Sequence, residues 1–543
     1  MEKGIARNAR HFDRKHSVMH IHGLFRAALL LVCLSAAALA SEPASEPDPT
    51  ASAIGAALRS GAGIPPNSLE RLRAFYTARQ DRPAWYNTGG PNADGTLAVS
   101  TIAGAADDGL DPLQYDIVAI SKPPSASDPG SIAYRDILLS MQLMRYAADV
   151  RDGRDSLKNI DRDVDVPPSG FDPAAALAQA LAEKKLAEFL RSLQPQSVDY
   201  SALKAALARY RALSAAGGWV ALPPTKPFGA RTAAPDVLLA LETRLAAEDG
   251  QLAAVSPPKP EDVDSALRRF QQRNGLPVDG VVGAATLAAL NVTNAARVSQ
   301  IEANMERSRW LPHTSGKSYV VVNVPDATLH VIDNGTEILT SRVIVGRRAD
   351  PTPIFQAEIT DVVANPPWNI PAKIVRTEIM PKLRKNPSYL TDHDMVASNG
   401  QIQQLPGAKN SLGLIKLNVS DRFSVYLHDT PSRTLFARDQ RFLSHGCIRV
   451  QQITPLASYA ITGDITGGVD KLMAAIATGT TVHLSMPAPI PLYVEYFTAF
   501  PGADGTLQFR PDIYGRDARM AAAMSGTRVT QANSSGGGCG RPG

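Results

Sequence analysis

The sequence predicts a multidomain α+β chain, built from a mainly helical scaffold, a small three-helix module and a β-rich C-terminal domain. Three observations carry that reading. At 543 residues the chain exceeds what one core holds, at roughly 100–200 residues per domain. Apolar residues recur at helical spacing through the first half of the chain and at period two from Tyr319 onward. Proline pairs at Pro123-Pro124 and Pro167-Pro168 punctuate the helical part.

Residues 1–40 read as an export signal. Arg7, Arg10, Arg14, Lys15 and Arg26 precede the apolar run Ala27 to Leu34, and Ala38-Leu39-Ala40 supplies a small-residue cleavage pattern before Ser41. The run is shorter than the ~20 residues of a membrane span, so no stable span is expected after cleavage. Val32 before Cys33 is not the small residue that lipidation would ask for. The chain carries 56 Lys+Arg against 52 Asp+Glu, of which residues 1–40 hold six and two, leaving 50 against 50. A near-neutral mature chain offers no basic face for nucleic acid.

Residues 41–68, rich in Ala, Ser, Pro and Glu, read as a flexible linker. Residues 69–235 read as the helical scaffold, with stripes at Ile137, Leu138, Met141, Leu143 and Met144 and again at Leu177, Leu181, Leu186, Phe189, Leu190 and Leu193. Residues 236–292 carry three helical spacings: Val237, Leu238, Leu241 and Leu245; Val263, Leu267 and Phe270; Ala285, Leu287, Ala288 and Leu290. Asn274-Gly275 and Asp279-Gly280 supply the turns between the last two. Residues 316–517 read as the β-rich domain, with strands at Tyr319 to Val324, Thr328 to Ile332, Arg342 to Val345, Gln356 to Val363, Phe423 to His428 and Thr480 to Leu484, and a further β-like run from Leu492. Residues 518–543 end in a Gly-rich stretch and read as a disordered tail. Composition leaves open whether the stretch between Lys373 and Gln401 covers the site described next.

The chemistry concentrates in Phe423 to Val450. Strand alternation along Phe423 to His428 sends Phe423, Val425 and Leu427 to the core and leaves Tyr426 and His428 side by side on the opposite face. Ser444-His445-Gly446-Cys447-Ile448-Arg449 follows. A cysteine at a glycine turn with an imidazole in reach has the makings of an acyl-transfer site, the imidazole taking the thiol proton. Cys447 is the expected nucleophile and His428 the base, with His445 in a positioning role. Backbone amides of Gly446 and Cys447 are candidate oxyanion donors. Arg449 is a candidate fork for a substrate carboxylate, with a structural salt bridge as its alternative. After signal cleavage only Cys447 and Cys539 remain, so apolar filling, or pairing with Cys539 in the tail, are the structural alternatives for Cys447. His428, His445 and Cys447 are also possible zinc ligands, but no fourth ligand and no paired Cys or His spacing accompanies them. His330, His393 and His483 stand singly.

Two resemblances follow from these residues. Leu267, Phe270-Gln271, Gly275-Leu276, Asp279-Gly280, Gly283 and Thr286-Leu287 resemble the small peptidoglycan-binding module of cell-wall enzymes, and the resemblance implies wall binding. His428 and Ser444-His445-Gly446-Cys447-Ile448-Arg449 resemble the signature of the L,D-transpeptidase catalytic domain. Tyr426 to Pro431, Leu435-Phe436, Glu306-Arg307, Arg309-Trp310, Gly346, Thr352-Pro353, Asn365-Pro366, Trp368-Asn369, Pro406-Gly407, Asn410 and Leu412-Gly413 are similar to the large periplasmic branch of that family. The resemblance implies a periplasmic enzyme of Gram-negative type acting on peptidoglycan stem peptides through a Cys447 thioester. His428 would serve as base, held by the backbone carbonyl of Asp429 while the Asp429 side chain points to the other face. Ser444, His445, Gly446 and Arg449 would position substrate and support the oxyanion. It implies no metal and no organic cofactor, and carbapenems as covalent inhibitors. It names no protein partner.

Overall fold

The computed structural model describes residues 48–122, 128–224, 226–312 and 318–525. The export signal, linker residues 41–47 and tail residues 526–543 lie outside them.

From Asp48 the chain is helical, which corrects the linker expectation for residues 48–68. Asp48 caps Pro49–Ser60 through Thr50 N at 2.9 Å, Pro49 stands at the first position and Gly61 closes the helix at φ 64°. Ile54 and Leu58, four apart, are buried in the scaffold core with Leu72, Phe75 and Tyr76 of helix Pro66–Ala78. An alanine-rich stretch reads as low complexity, yet alanine is also the best helix former, and two correctly spaced apolar residues suffice to dock it. At the centre of the scaffold, Asp136 of helix Pro129–Asp152 accepts the amides of Ala84, Trp85 and Tyr86 at 2.8, 2.7 and 3.0 Å and the Tyr76 hydroxyl at 2.6 Å. The buried carboxylate is thus satisfied by the loop it organises.

Helix Val198–Ala215, expected within the scaffold, buries Tyr200, Leu203, Leu207 and Tyr210 against Ile301 and Met305 of helix Asn294–Ser308 and against the hairpin strands Ala499–Pro501 and Leu507–Phe509. The small module has helices Pro235–Ala246, Pro260–Arg273 and Ala284–Leu290 around Leu241, Leu245, Leu267 and Phe270. Gln271 holds its turn, accepting Gly280 N at 2.9 Å and donating to Asp279 Oδ1 at 2.8 Å and Val281 O at 3.0 Å.

The C-terminal domain is a sheet of β1 Tyr319–Asn323, β2 Thr328–Asp333, β3 Thr336–Gly346, β4 Ile354–Ala364, β5 Ile415–Val419, β6 Leu427–His428, β7 Ile448–Val450 and β8 Ile490–Glu495. Their order is β5-β6-β7-β3-β2-β1-β8-β4, and β4 pairs back onto β5, so the path closes on itself. Closure removes the exposed edges that an open sheet of this length would carry. Val482–Leu484 adds to β4, and helix Ile453–Thr462 brings Leu456, Ala457 and Ile461 into the same core. The expected α+β class holds.

Two expectations need correction. The strand Phe423 to His428 is regular only at Leu427–His428. Asp421 takes the amides of Phe423 at 2.6 Å and Val425 at 3.1 Å, and Ser424 adopts φ 58°, so a side-chain-capped turn replaces the first half of the strand. The disordered-tail expectation fails for residues 518–524, because Arg516–Met524 is a helix. Asp512 caps it through Arg516 N and Asp517 N at 2.8 and 2.9 Å, Asp161 binds Arg516 and Arg519 at 3.0 and 2.7 Å, and Met520 enters the core.

Between β4 and β5, residues 368–404 form a small subdomain of short helices and a three-stranded sheet, Trp368–Asn369, Gln401–Gln404 and Met395–Ser398. It has its own core of Ile370, Ile374, Ile379, Met395 and Ile402. It stands over the face that carries His428.

Candidate active site

β6 and β7 run parallel with His428 beside Arg449, which places Cys447, two residues earlier, beside Tyr426 on the same face. All four line one cavity of ≈ 240 Å³, together with Trp368 and Glu378 from the subdomain. The stretch Lys373 to Gln401 therefore forms a wall of the cleft. Cys447 and His428 are each 4% exposed, so the pair is shielded from bulk solvent.

His428 Nδ1 lies 2.6 Å from the Asp429 carbonyl oxygen. A carbonyl only accepts, so Nδ1 carries the proton and Nε2 is left with its lone pair. Burial, with the Arg449 guanidinium next, pushes the imidazole down to about 3, against the carbonyls of Asp429 and Leu412, which favour the charged form. At neutral pH His428 is a neutral proton acceptor. The Asp429 carboxylate is turned away, binding Arg433 Nη1 at 2.7 Å and Leu414 N at 3.2 Å.

Ser444 closes the turn before Cys447. Its hydroxyl donates to Cys447 O at 2.6 Å and accepts Gly446 N at 3.2 Å. The Gly446 amide is therefore engaged, which corrects the expectation that it stands ready as an oxyanion donor. Gly446 itself sits at φ 116°, a backbone state that side chains rarely adopt. Thr352 supports the turn from below, donating to Gly446 O at 2.8 Å and accepting Gly346 N at 2.9 Å. A Cβ on Gly346 would meet the backbone of Pro351 and Thr352, so this approach needs glycine.

Cys447 is disulfide-bonded in this structure. Its Sγ lies 4.0 Å from Ser424 O. Arg449 is mostly buried, and its Nε has no hydrogen-bond partner, so the salt bridge considered for it is absent among the described residues. Burial pushes the guanidinium down, with Tyr426 opposing.

Several neighbours escaped the sequence reading. Glu378 binds His445 Nε2 at 2.6 Å, tying the subdomain to the cysteine loop. Burial would raise the Glu378 carboxyl, but the His445 bond and charge outweigh it and hold it low. No local spacing announces a pair 67 positions apart. His393, read as an isolated histidine, stacks on Tyr389 at 4.1 Å and lines the cavity. His330 and His483 bind Glu337 and Asp361 at 2.9 and 2.7 Å, away from the cleft. No group of three or more His, Cys, Asp or Glu suited to a metal occurs among the described residues.

Comparison with known families places these features. Residues 317–483 match the model of the L,D-transpeptidase catalytic domain. The chain carries an L,D-transpeptidase catalytic domain. Ahead of it, residues 70–207 match a scaffold domain and residues 240–290 a "Putative peptidoglycan binding domain". A protein described as "Putative L,D-transpeptidase" from Haemophilus influenzae is 31% identical over 241 residues, which is 40% of this chain and 48% of that protein. The chain thus spans about half the length of the curated relative it matches. The structure of an L,D-transpeptidase (residues 123–326) from Xylanimonas cellulosilytica DSM 15894 aligns at 15% identity over 50% of this chain and all of that one, with a TM-score of 0.16, too low to bear on the fold. In this domain His428 lies on β6 and Arg449 on the adjacent β7, with Cys447 in the turn immediately ahead of β7.

Proposed function

We propose that this chain is an exported L,D-transpeptidase that forms 3-3 cross-links between peptidoglycan stems. The observation that carries the reading is His428, neutral and fixed by the Asp429 carbonyl, sharing one buried cavity with Cys447 and Arg449. In its reduced form the Cys447 thiol passes its proton to His428 Nε2 and attacks the carbonyl between the third-position diamino acid and the fourth-position D-Ala. The C–N bond breaks, His428 returns the proton to the leaving amine, D-Ala departs and a thioester remains. An amine on the third residue of a second stem attacks the thioester, a new amide forms, and the amine proton travels through His428 to the departing sulfur. Arg449, with an unpaired Nε in the cleft, is suited to the donor's carboxylate. The Cys447 amide is the oxyanion donor at the turn, since Gly446 N is bound to Ser444. The neighbouring module supports attachment to the wall polymer.

The disulfide must be opened by a thiol reductant before the assay. Reduced protein incubated with disaccharide-tetrapeptides is expected to yield cross-linked dimers by mass spectrometry. Tripeptide monomers alone would point to a carboxypeptidase and against cross-linking, and transfer only to a lysine of an outer-membrane protein would point to an anchoring enzyme. Cys447→Ala is expected to abolish the covalent carbapenem adduct while wall binding persists. Reduced wild-type protein that binds wall but forms no adduct would make the chain an inactive scaffold.

A further inference from the structure

Tyr426 divides two cavities. Its ring lines the cavity of Cys447, His428 and Arg449, and also a second one of ≈ 940 Å³ between the subdomain and β5. Trp368, Pro371 and Leu412 are shared by both walls. The nucleophile is close to the second cavity as well, since its sulfur lies 4.0 Å from the carbonyl oxygen of Ser424, which lines that cavity.

Cations line both sides: Arg449, with Lys382 and Lys409, faces the first cavity, and Lys416, with Arg376, the second. Lys416 stands directly across from His428 in the β5–β6 pairing, and its Nζ lies 4.3 Å from the centre of the Tyr426 ring. Among the described residues no carboxylate pairs with it: Asp421, in the same cavity, is spent on the amides of Phe423 and Val425, and Asp361 on Asn418 and His483. A half-buried ammonium that has a ring face beside it and no carboxylate bonded to it is incompletely compensated. Burial lowers its proton affinity, opposed by Asp361.

We propose that Lys416 holds the carboxylate of the acceptor in the second cavity, selecting amines that carry a carboxylate beside the nitrogen. The proposal rests on the transpeptidase reading and deepens it. Transfer needs the acceptor nitrogen as a free amine aimed at the thioester carbonyl. A cation gripping the adjacent carboxylate orients that nitrogen and, by repulsion, disfavours its ammonium form. Two cations on opposite sides of Tyr426 then let donor and acceptor approach one sulfur from different directions.

The test compares two acceptors with reduced, carbapenem-competent protein: a stem tripeptide ending in a diamino acid with a carboxylate beside its side-chain amine, and the same peptide with that carboxylate amidated. The parent is expected to favour the carboxylate form. In Lys416→Met the KM for that acceptor should rise on the order of 10-fold, the preference should vanish, and Lys416→Arg should restore part of it; acylation of Cys447 by a carbapenem, which also reports a folded site, should slow far less than transfer. Undiminished preference in Lys416→Met would overturn the proposal alone, as would acylation that falls in step with transfer, since Lys416 would then act through His428. A parent that acylates yet transfers to neither amine would overturn the transpeptidase reading and this proposal with it.

Discussion

A single carbonyl decides what His428 can do. With Nδ1 bound to Asp429 O, the ring presents Nε2 as acceptor, and burial keeps it neutral. His428→Ala is expected to slow carbapenem acylation at neutral pH by roughly 100-fold or more, the usual worth of a positioned base, with partial recovery as pH approaches the ~8.5 of an unassisted thiol. A wild-type pH profile in stopped-flow acylation would remove His428 from that role. The same burial makes His428 acid-sensitive. Its folded value is about 3 against 6.5 for the ordinary imidazole, so the unfolded chain takes up a proton first and stability falls as pH drops from about 6.5 towards 3. His428→Gln should flatten that part of the urea-midpoint profile. Of the site residues, Tyr426, His428, Cys447 and Arg449 were legible from period-two alternation and one motif. Glu378 and Thr352 were not legible in these roles, because their partners are far away in the chain and no local pattern encodes a hydrogen bond between separate elements.

The cysteine loop is held as an element rather than by its own residues. Thr352, on the connection between β3 and β4, bridges Gly346 N and Gly446 O, both inside the fold. Thr352→Val keeps the shape and strips both bonds, leaving a buried donor and acceptor unsatisfied. It should cost about 1–3 kcal/mol per orphaned group in denaturant unfolding and slow acylation by displacing Cys447. The first half of the expected strand at Phe423 shows why such elements are misread. Phe423, Val425 and Leu427 pack on one core as alternation demands, but Asp421 offers the backbone a competing set of bonds and breaks the ladder at Ser424. Side-chain sidedness survived where regular pairing did not. The linker expectation failed for a related reason: composition hides the two apolar residues that dock helix Pro49–Ser60.

Across the whole molecule the most consequential cluster is Glu306 with its neighbours. Glu306, fully buried, accepts Arg154 N at 2.6 Å, Arg154 Nε at 3.2 Å and Arg309 Nη1 at 3.1 Å, while Arg309 also donates to Tyr200 OH at 2.9 Å and to the Asp108 carbonyl. Arg307 binds Asp517 at 2.6 Å on the other side of the helix. One helix thereby joins the scaffold to the end of the L,D-transpeptidase domain. Gly153, at φ 75°, must be glycine because a Cβ would strike Trp310 and Glu306. Glu306→Gln strands two buried arginines and should cost about 3–5 kcal/mol, seen in calorimetry as a lower and broadened transition. Loss confined to a few tenths of a kcal/mol would show the cluster to be incidental.

The sequence by itself determined the order of the parts, the α+β class and the chemical trio of thiol, imidazole and guanidinium, because periodicity, glycine turns and residue chemistry are local properties. Tertiary structure alone decided that Gly446 N is engaged, that residues 368–404 wall the cleft, that Cys447 is held in a disulfide and that Lys416 faces a second cavity. These depend on which distant groups meet, and that is set by sheet closure and by the satisfaction of buried polar atoms over the whole chain.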